Sequence, residues 1–441
     1  MIDRRTLLAS GLVSGAALAA SPVAAKVMPK APNPAFPQGF LWGASTAAHQ
    51  IEGNNTNSDL WFLENIKQTA FTEPSRDAAN SFEMWPQDLD LAQAMGLNCY
   101  RFSIEWARIE PEPGLFSQAM LDHYKRMIAG CKARGLAAIV TFNHFTAPRW
   151  FSAQGGWLHP DSASLFARFC DKAARHLGDG ISHAITFNEP NILRLLKAIG
   201  LPQFILDKQR AMLDAAAKAM GTAKFISLNV ANPEDVEPLQ VALSAAHGAG
   251  KAAIKAAHGA LPVGLCLAMF DDQAVGRNSL RDAKRRELYG NWLEVARQDD
   301  FLGVQNYERA VWNDKGKLPA PAGAAVNFMG SEVYAPSLAG AVRYAHAATG
   351  VPILITEHGV GTNDDGLRAS FIPAALAELK KLMDEGVPVQ AYCHWSLIDN
   401  FEWIFGYAPK FGLHSVDPVS FARTAKPSAA VYGAIARRNS L

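Results

Sequence analysis

The sequence predicts an α/β fold, a (β/α)8 TIM barrel in a single domain over residues 26–441, and three observations carry the prediction. Eight short apolar runs, rich in β-branched and aromatic residues, recur along the chain. Longer amphipathic segments of helical pattern separate them. No glycine-rich phosphate turn follows an early run, as an open doubly wound sheet would require.

The runs lie at 40–45, 98–103, 137–142, 184–188, 263–268, 301–305, 352–356 and 389–395. In a barrel of this kind, binding and reacting groups collect where the strands end. His49 and Gln50 follow the first run, Arg101 sits in the second, and His144 follows the third. Asn188 and Glu189 close the fourth. Gln305 and Tyr307 come at the end of the sixth, Glu357 at the end of the seventh, and Trp395 closes the eighth. Each has an ordinary explanation taken singly: His144 as a satisfied loop histidine, Arg101 as an ion-pair partner, Trp395 as core. Their joint placement at strand ends is harder to explain that way. Between the fourth and fifth runs, the Ala- and Lys-rich stretch 206–260 is long enough for more than one helix.

Composition narrows the function classes. The 441 residues are 49% hydrophobic and 19% charged, and 42 basic side chains nearly cancel 41 acidic ones, which leaves no electrostatic footprint for nucleic acid. Residues 1–25 follow a different pattern: Arg4-Arg5 precede an Ala-, Gly- and Leu-rich stretch that ends at Val23-Ala24-Ala25. This predicts a twin-arginine export signal cleaved near Lys26, and with it a periplasmic or secreted protein. The stretch is too short and too rich in small residues for a comfortable membrane span, so no stable membrane insertion is expected after cleavage. The five cysteines show no paired spacing and read as buried thiols, which suits a route that exports folded chains. No metal-ligand spacing, nucleotide loop or serine elbow occurs, so neither metal nor cofactor is expected.

Two settings stand out: Thr186-Phe187-Asn188-Glu189-Pro190 and Ile355-Thr356-Glu357-His358-Gly359. Two carboxylates carried by parallel strands are the minimal machinery for breaking a glycosidic bond. One protonates the departing oxygen and the other answers the positive charge that develops at the sugar carbon. Identical side chains must then be made different by their surroundings. Asn188 offers an amide to a sugar hydroxyl, and Pro190 removes a donor and fixes the turn.

With these segments in hand, nearly all of the chain after residue 25 resembles glycoside hydrolase family 1, the β-glucosidase family. Residues 36–53, ending His49-Gln50-Ile51-Glu52-Gly53, look like its amino-terminal signature, and Tyr100-Arg101-Phe102-Ser103 is similar to its second-strand motif. Residues 186–190 match its acid/base motif, 355–359 its nucleophile motif, and 395–403 its sugar-binding loop. The resemblance implies a retaining, exo-acting β-glycosidase, most simply a β-glucosidase, acting on a small-molecule β-glycoside. Glu357 would be the nucleophile, steadied by Arg101 and Tyr307, and Glu189 the acid that later serves as base. Gln50, His144, Asn188, Trp395, Glu402 and Trp403 would hold the sugar. A carboxylate at Glu402 implies an unphosphorylated sugar, since it would repel a phosphate. A transglycosidase using the same intermediate, or a barrel that only binds sugar, are the alternatives.

The chain departs from the family in four places. His358 stands where asparagine is usual, and Gln305-Asn306-Tyr307 replaces Asn-Tyr-Tyr. Ser331 takes the place of a tryptophan that commonly supports the leaving group. After Asn191 the usual polar stretch is replaced by an apolar one, 192–206. That stretch is either an amphipathic helix packed on the barrel or an apolar wall that, with the missing tryptophan, favours bulky apolar aglycones over short cello-oligosaccharides.

Overall fold

The computed structural model describes residues 35–441, so the export signal expected at 1–25 lies outside the described residues. Eight parallel strands close into a barrel: β1 (Leu41–Ser45), β2 (Cys99–Ser103), β3 (Ala137–Asn143), β4 (Ile181–Asn188), β5 (Val263–Ala268), β6 (Leu302–Asn306), β7 (Ile353–His358) and β8 (Val389–Trp395). Each pairs with its neighbours in sequence, and β1 closes on β8 through Leu41 to Ser45 against Ala391 to Trp395. The (β/α)8 expectation therefore holds. The runs predicted a buried strand because both faces are covered, and this removes the alternation a half-exposed strand would show. β4 begins before its predicted run because Ser182 and His183, at the barrel's lower rim, are partly exposed and polar.

Inside the barrel, Cys99, Ile139, Ile185, Cys266, Leu354 and Cys393 form a core separate from the one between strands and helices. Gly43 faces this plug, where a Cβ would sit 2.4 Å from Cys99 Sγ. All five cysteines are buried free thiols. Outside, the helix Ser162–Leu177 buries Phe166, Phe169, Cys170, Ala173 and Leu177, the spacing of one helical face. It packs against Val236–Ala257, where Gly250 lets Phe166 approach: a Cβ there would lie 2.7 Å from the ring. The stretch 206–260 does hold more than one helix, Gln203–Met220 and Val236–Ala257. Among the described residues, no helix is long and apolar enough to cross a membrane.

Departures from regular pairing in β7 and β4 position the site. Leu354 belongs to the interior plug and Ile355 to the helix-facing core, so strict alternation would send Glu357 outward. Instead the register slips between Ile355 and Glu357 against Val304 and Gln305. This bulge turns Glu357 into the barrel and puts His358 outside, stacked on Phe371. β4 slips in the same way between Ile185 and Asn188, so Phe187 packs outward on Phe166 while Asn188 enters the barrel. A short parallel ribbon, Asp271–Ala274 with Arg309–Trp312, prolongs β5 and β6 beyond the barrel rim.

Candidate active site

Every residue singled out from the sequence comes together at the carboxyl ends of the strands. There they surround one cavity of about 530 Å³, except that Arg101 lies fully buried beneath it, His49 is turned away onto Glu64 Oε1 at 2.7 Å, and His358 lies outside the barrel. Arg101 on β2 donates from Nη1 to Glu357 Oε1 at 2.6 Å and from Nη2 to Asn188 Oδ1 at 2.5 Å. Tyr307 donates its hydroxyl to the other oxygen of Glu357 at 2.6 Å. The Glu357 carboxylate is thus held on both oxygens, one of them by a buried cation.

Glu189 is placed differently. Its side chain takes no hydrogen bond from the protein, its backbone adopts φ +44°, and its N–H is tied to the Cys266 carbonyl at 2.9 Å. A non-glycine residue in that region is strained and is held there by its surroundings; here Pro190 follows immediately. Burial pushes the Glu189 carboxyl well above the usual range, the nearby Glu357 charge pushes it further, and only Arg101 opposes. Burial raises Glu357 too, but Arg101, Tyr307 and Gln305 all pull it back. Of the two, Glu357 gives up its proton first.

Around this pair, four of the residues that line the cavity each carry a buried polar atom without a protein partner. These atoms are Gln50 Oε1, His144 Nδ1, Asn188 Nδ2 and Gln305 Oε1. Buried polar atoms are normally satisfied, so a ring of orphans in one cavity is what a hydroxyl-rich ligand would complete. Gln50, on the short helix after β1, is fixed by donating to the Phe401 carbonyl at 2.7 Å and to Asn400 Oδ1 at 3.0 Å. Trp395 Nε1 reaches Glu402 Oε1 at 3.3 Å, and burial raises the Glu402 carboxyl well above its usual range. The His144 ring lies nearly parallel to both Trp395 and Trp403, with centroids 6.0 and 6.1 Å away. Burial, with Arg101 nearby, keeps His144 neutral. These rings give the cavity flat apolar walls of a kind that suits the C–H face of a sugar.

Gln305 was placed at this face from sequence but given no task. It donates to Asn188 Oδ1 at 2.7 Å and thereby orients the orphan Asn188 amide inward. A glutamine inside an otherwise apolar run was the available signal. His358, the departure beside Glu357, bonds Tyr392 through Nδ1 at 2.9 Å outside the barrel and leaves the carboxylate undisturbed. Among the described residues, no cluster of three His, Cys, Asp or Glu side chains is placed to hold a metal ion.

A family model described as glycosyl hydrolase family 1 matches residues 33–220 and 327–441, and so takes in the loops and strand ends that carry Gln50, Arg101, Glu189, Glu357 and Glu402. The chain belongs to glycosyl hydrolase family 1.

Its relatives carry β-glucosidase and β-glycosidase names. A β-glucosidase of Agrobacterium sp. is 32% identical, with 91% of this chain and 95% of the relative covered. A human cytosolic β-glucosidase is 29% identical over 92% of this chain and 99% of its own. Among solved structures, β-glycosidase BGL167 superposes with a TM-score of 0.87 at 43% identity, covering 93% of this chain and 98% of its own. The apo structure of β-glucosidase 1317 has the same score at 39% identity, with 91% of this chain and 98% of that one covered. The chain is a glycoside hydrolase of the β-glycosidase kind, and its substrates are small-molecule glycosides. The interval 221–326, outside the family match, carries β5, β6 and Tyr307.

Proposed function

We propose that the enzyme is a retaining, exo-acting β-glucosidase that removes an unphosphorylated terminal sugar from glucosides with bulky apolar aglycones. The unequal environments of the two glutamates carry the mechanistic part. Glu357, gripped on both oxygens, is the nucleophile, and Glu189, whose carboxyl takes no protein hydrogen bond and is raised further by the charge of Glu357, is the proton donor. Once the sugar esterifies Glu357, Glu189 loses its negative neighbour, its pKa falls, and it turns into the base that activates water. Gln50, His144, Asn188 and Glu402 hydrogen-bond the sugar, with Trp395 and Trp403 against its face. A phosphate placed beside the buried Glu402 would meet repulsion.

The aglycone part rests on the stretch after Asn191. It forms the helix Ile192–Ile199, which buries Leu193 and turns Leu195, Leu196 and Ile199 to the cavity, with Leu201 and Pro202 beyond. It is thus both a packed amphipathic helix and an apolar wall. Met269, Phe270 and Phe328 line the same cavity, and the small Ser331 stands among them.

The test is kinetic. Octyl β-D-glucoside and cellobiose both release alcohols of poor leaving ability, so their ratio of kcat/KM reports aglycone binding rather than chemistry. Octyl glucoside is expected to win by roughly tenfold or more, from a few methylenes buried at about 0.8 kcal/mol each. A preference for cellobiose would sink the aglycone assignment. Proton NMR of the first-released sugar should show the β-anomer; the α-anomer would exclude retention. Export is proposed on Arg4-Arg5 and the apolar stretch after them that ends at Val23-Ala24-Ala25, with a mature chain of 26–441 as one domain. Lysine at both positions should leave the precursor uncleaved in the cytoplasm, and unchanged export would refute the twin-arginine route.

A further inference from the structure

The leaving-group side of the cavity carries one charged pair among mostly apolar side chains. Apart from Glu189, Glu357 and Glu402, the acidic and basic side chains that line it are Glu308 and Lys317. Lys317 Nζ donates to Glu308 Oε1 at 2.9 Å and lies 5.1 Å from the centre of the Phe270 ring. Both are largely covered, with side chains 23% and 13% exposed.

The pair is held in place before any ligand arrives. The Glu308 carbonyl accepts from Asn306 Nδ2 at 3.0 Å and Asp271 N at 3.3 Å. Lys317 closes a tight hairpin by bridging to Trp312, and Asn313 Oδ1 caps that turn through the N–H groups of Lys315 and Gly316. An ammonium has three N–H donors and this one spends a single donor on protein, while Glu308 Oε2 has no protein partner. An ion pair this close to the surface contributes little to stability by itself. What it offers is a donor and an acceptor side by side at the edge of an apolar cavity.

Building on the β-glucosidase reading, we infer that Lys317 and Glu308 anchor the far end of the aglycone, and that preferred substrates carry a hydroxyl on a ring remote from the glycosidic oxygen. A hydroxyl donates to Glu308 Oε2 and accepts from Lys317 Nζ at once. A carboxylate in its place would be drawn by Lys317 and repelled by Glu308, and a bare hydrocarbon would leave both groups partly desolvated without recompense.

Two synthetic substrates test this: biphenyl-4-yl β-D-glucoside and its 4'-hydroxy analogue, which leave with nearly equal ease because the added hydroxyl is on the distant ring. The hydroxyl should raise kcat/KM by roughly tenfold or more, in line with hydrogen bonds to charged groups. In Lys317→Met and in Glu308→Gln the ratio between the two substrates should fall toward one. Each variant serves as its own folding control, because both substrates are measured on it. A ratio near one in the unaltered enzyme, or a ratio unchanged in both variants, overturns the anchor. Failure of the underlying reading looks different: octyl glucoside and the plain biphenyl glucoside would then both be poor substrates.

Discussion

Replacing Glu357 by alanine is expected to lower kcat by roughly five orders of magnitude on every β-glycoside, activated or not, as removal of a covalent nucleophile does. The loss should not depend on leaving group, because the missing bond is to the sugar carbon. The variant also opens space beside Arg101, a fully buried cation that keeps Asn188 Oδ1 and the Thr356 carbonyl as partners. Azide can enter that space and attack from the side Glu357 used. From 2,4-dinitrophenyl β-D-glucoside it should yield the α-glucosyl azide, with dinitrophenolate leaving. Because an uncompensated buried charge costs about 3–5 kcal/mol, Glu357→Gln belongs beside the alanine variant: its amide oxygen still accepts from Arg101, so it separates lost chemistry from lost fold. Residual turnover above about one part in a thousand in a folded Glu357→Gln enzyme, or a β-azide from Glu357→Ala, would refute the assignment.

Most of this site could be read before the structure because a barrel gathers strand ends at one face. Arg101, His144, Asn188, Glu189, Tyr307, Glu357 and Trp395 are scattered over nearly 300 positions in sequence. The topology brings them together without any local signal. What sequence could not show is why Glu357 faces inward. With Leu354 inside and Ile355 outside, a period of two puts Glu357 among the helices, and only the slipped register at Thr356 reverses it. A bulge inserts one residue and leaves no compositional trace. Asn188 depends on a similar slip in β4.

The ribbon beyond β5 and β6 was invisible for another reason. Its strands, Asp271–Ala274 and Arg309–Trp312, are four residues each and carry Asp271, Asp272 and Arg309, so neither periodicity nor apolar content marks them. They nonetheless lift Phe270 and Glu308 to the cavity's outer edge. The apolar stretch 192–206 was conspicuous from the start, yet its two explanations looked exclusive. One helix serves both: Leu193 is buried while Leu196 and Ile199 face the cavity. Helical periodicity places residues on faces and does not say what each face meets.

Glu189→Gln is expected to separate the two halves of the reaction. The donor matters most where the leaving group is a poor one, so kcat/KM for octyl glucoside should fall by about a thousandfold or more. For 2,4-dinitrophenyl glucoside, whose phenol departs without help, kcat/KM should change less than about tenfold, because it reports only formation of the glycosyl-enzyme. The second half then suffers alone: water attacks without a base, the glycosyl-enzyme accumulates, and one equivalent of dinitrophenol appears as a burst. The pH profile follows from the same pair. Turnover needs Glu357 ionised and Glu189 protonated, so the rate falls toward acid as Glu357 takes a proton and toward alkali as Glu189 loses one. Burial raises both groups, and Glu189 further, which places the bell above the range of free carboxyl groups. In Glu189→Gln the alkaline limb should vanish for the activated substrate while the acid limb stays. An alkaline limb that survives unchanged, or equal losses on both leaving groups, would mean that the proton comes from elsewhere.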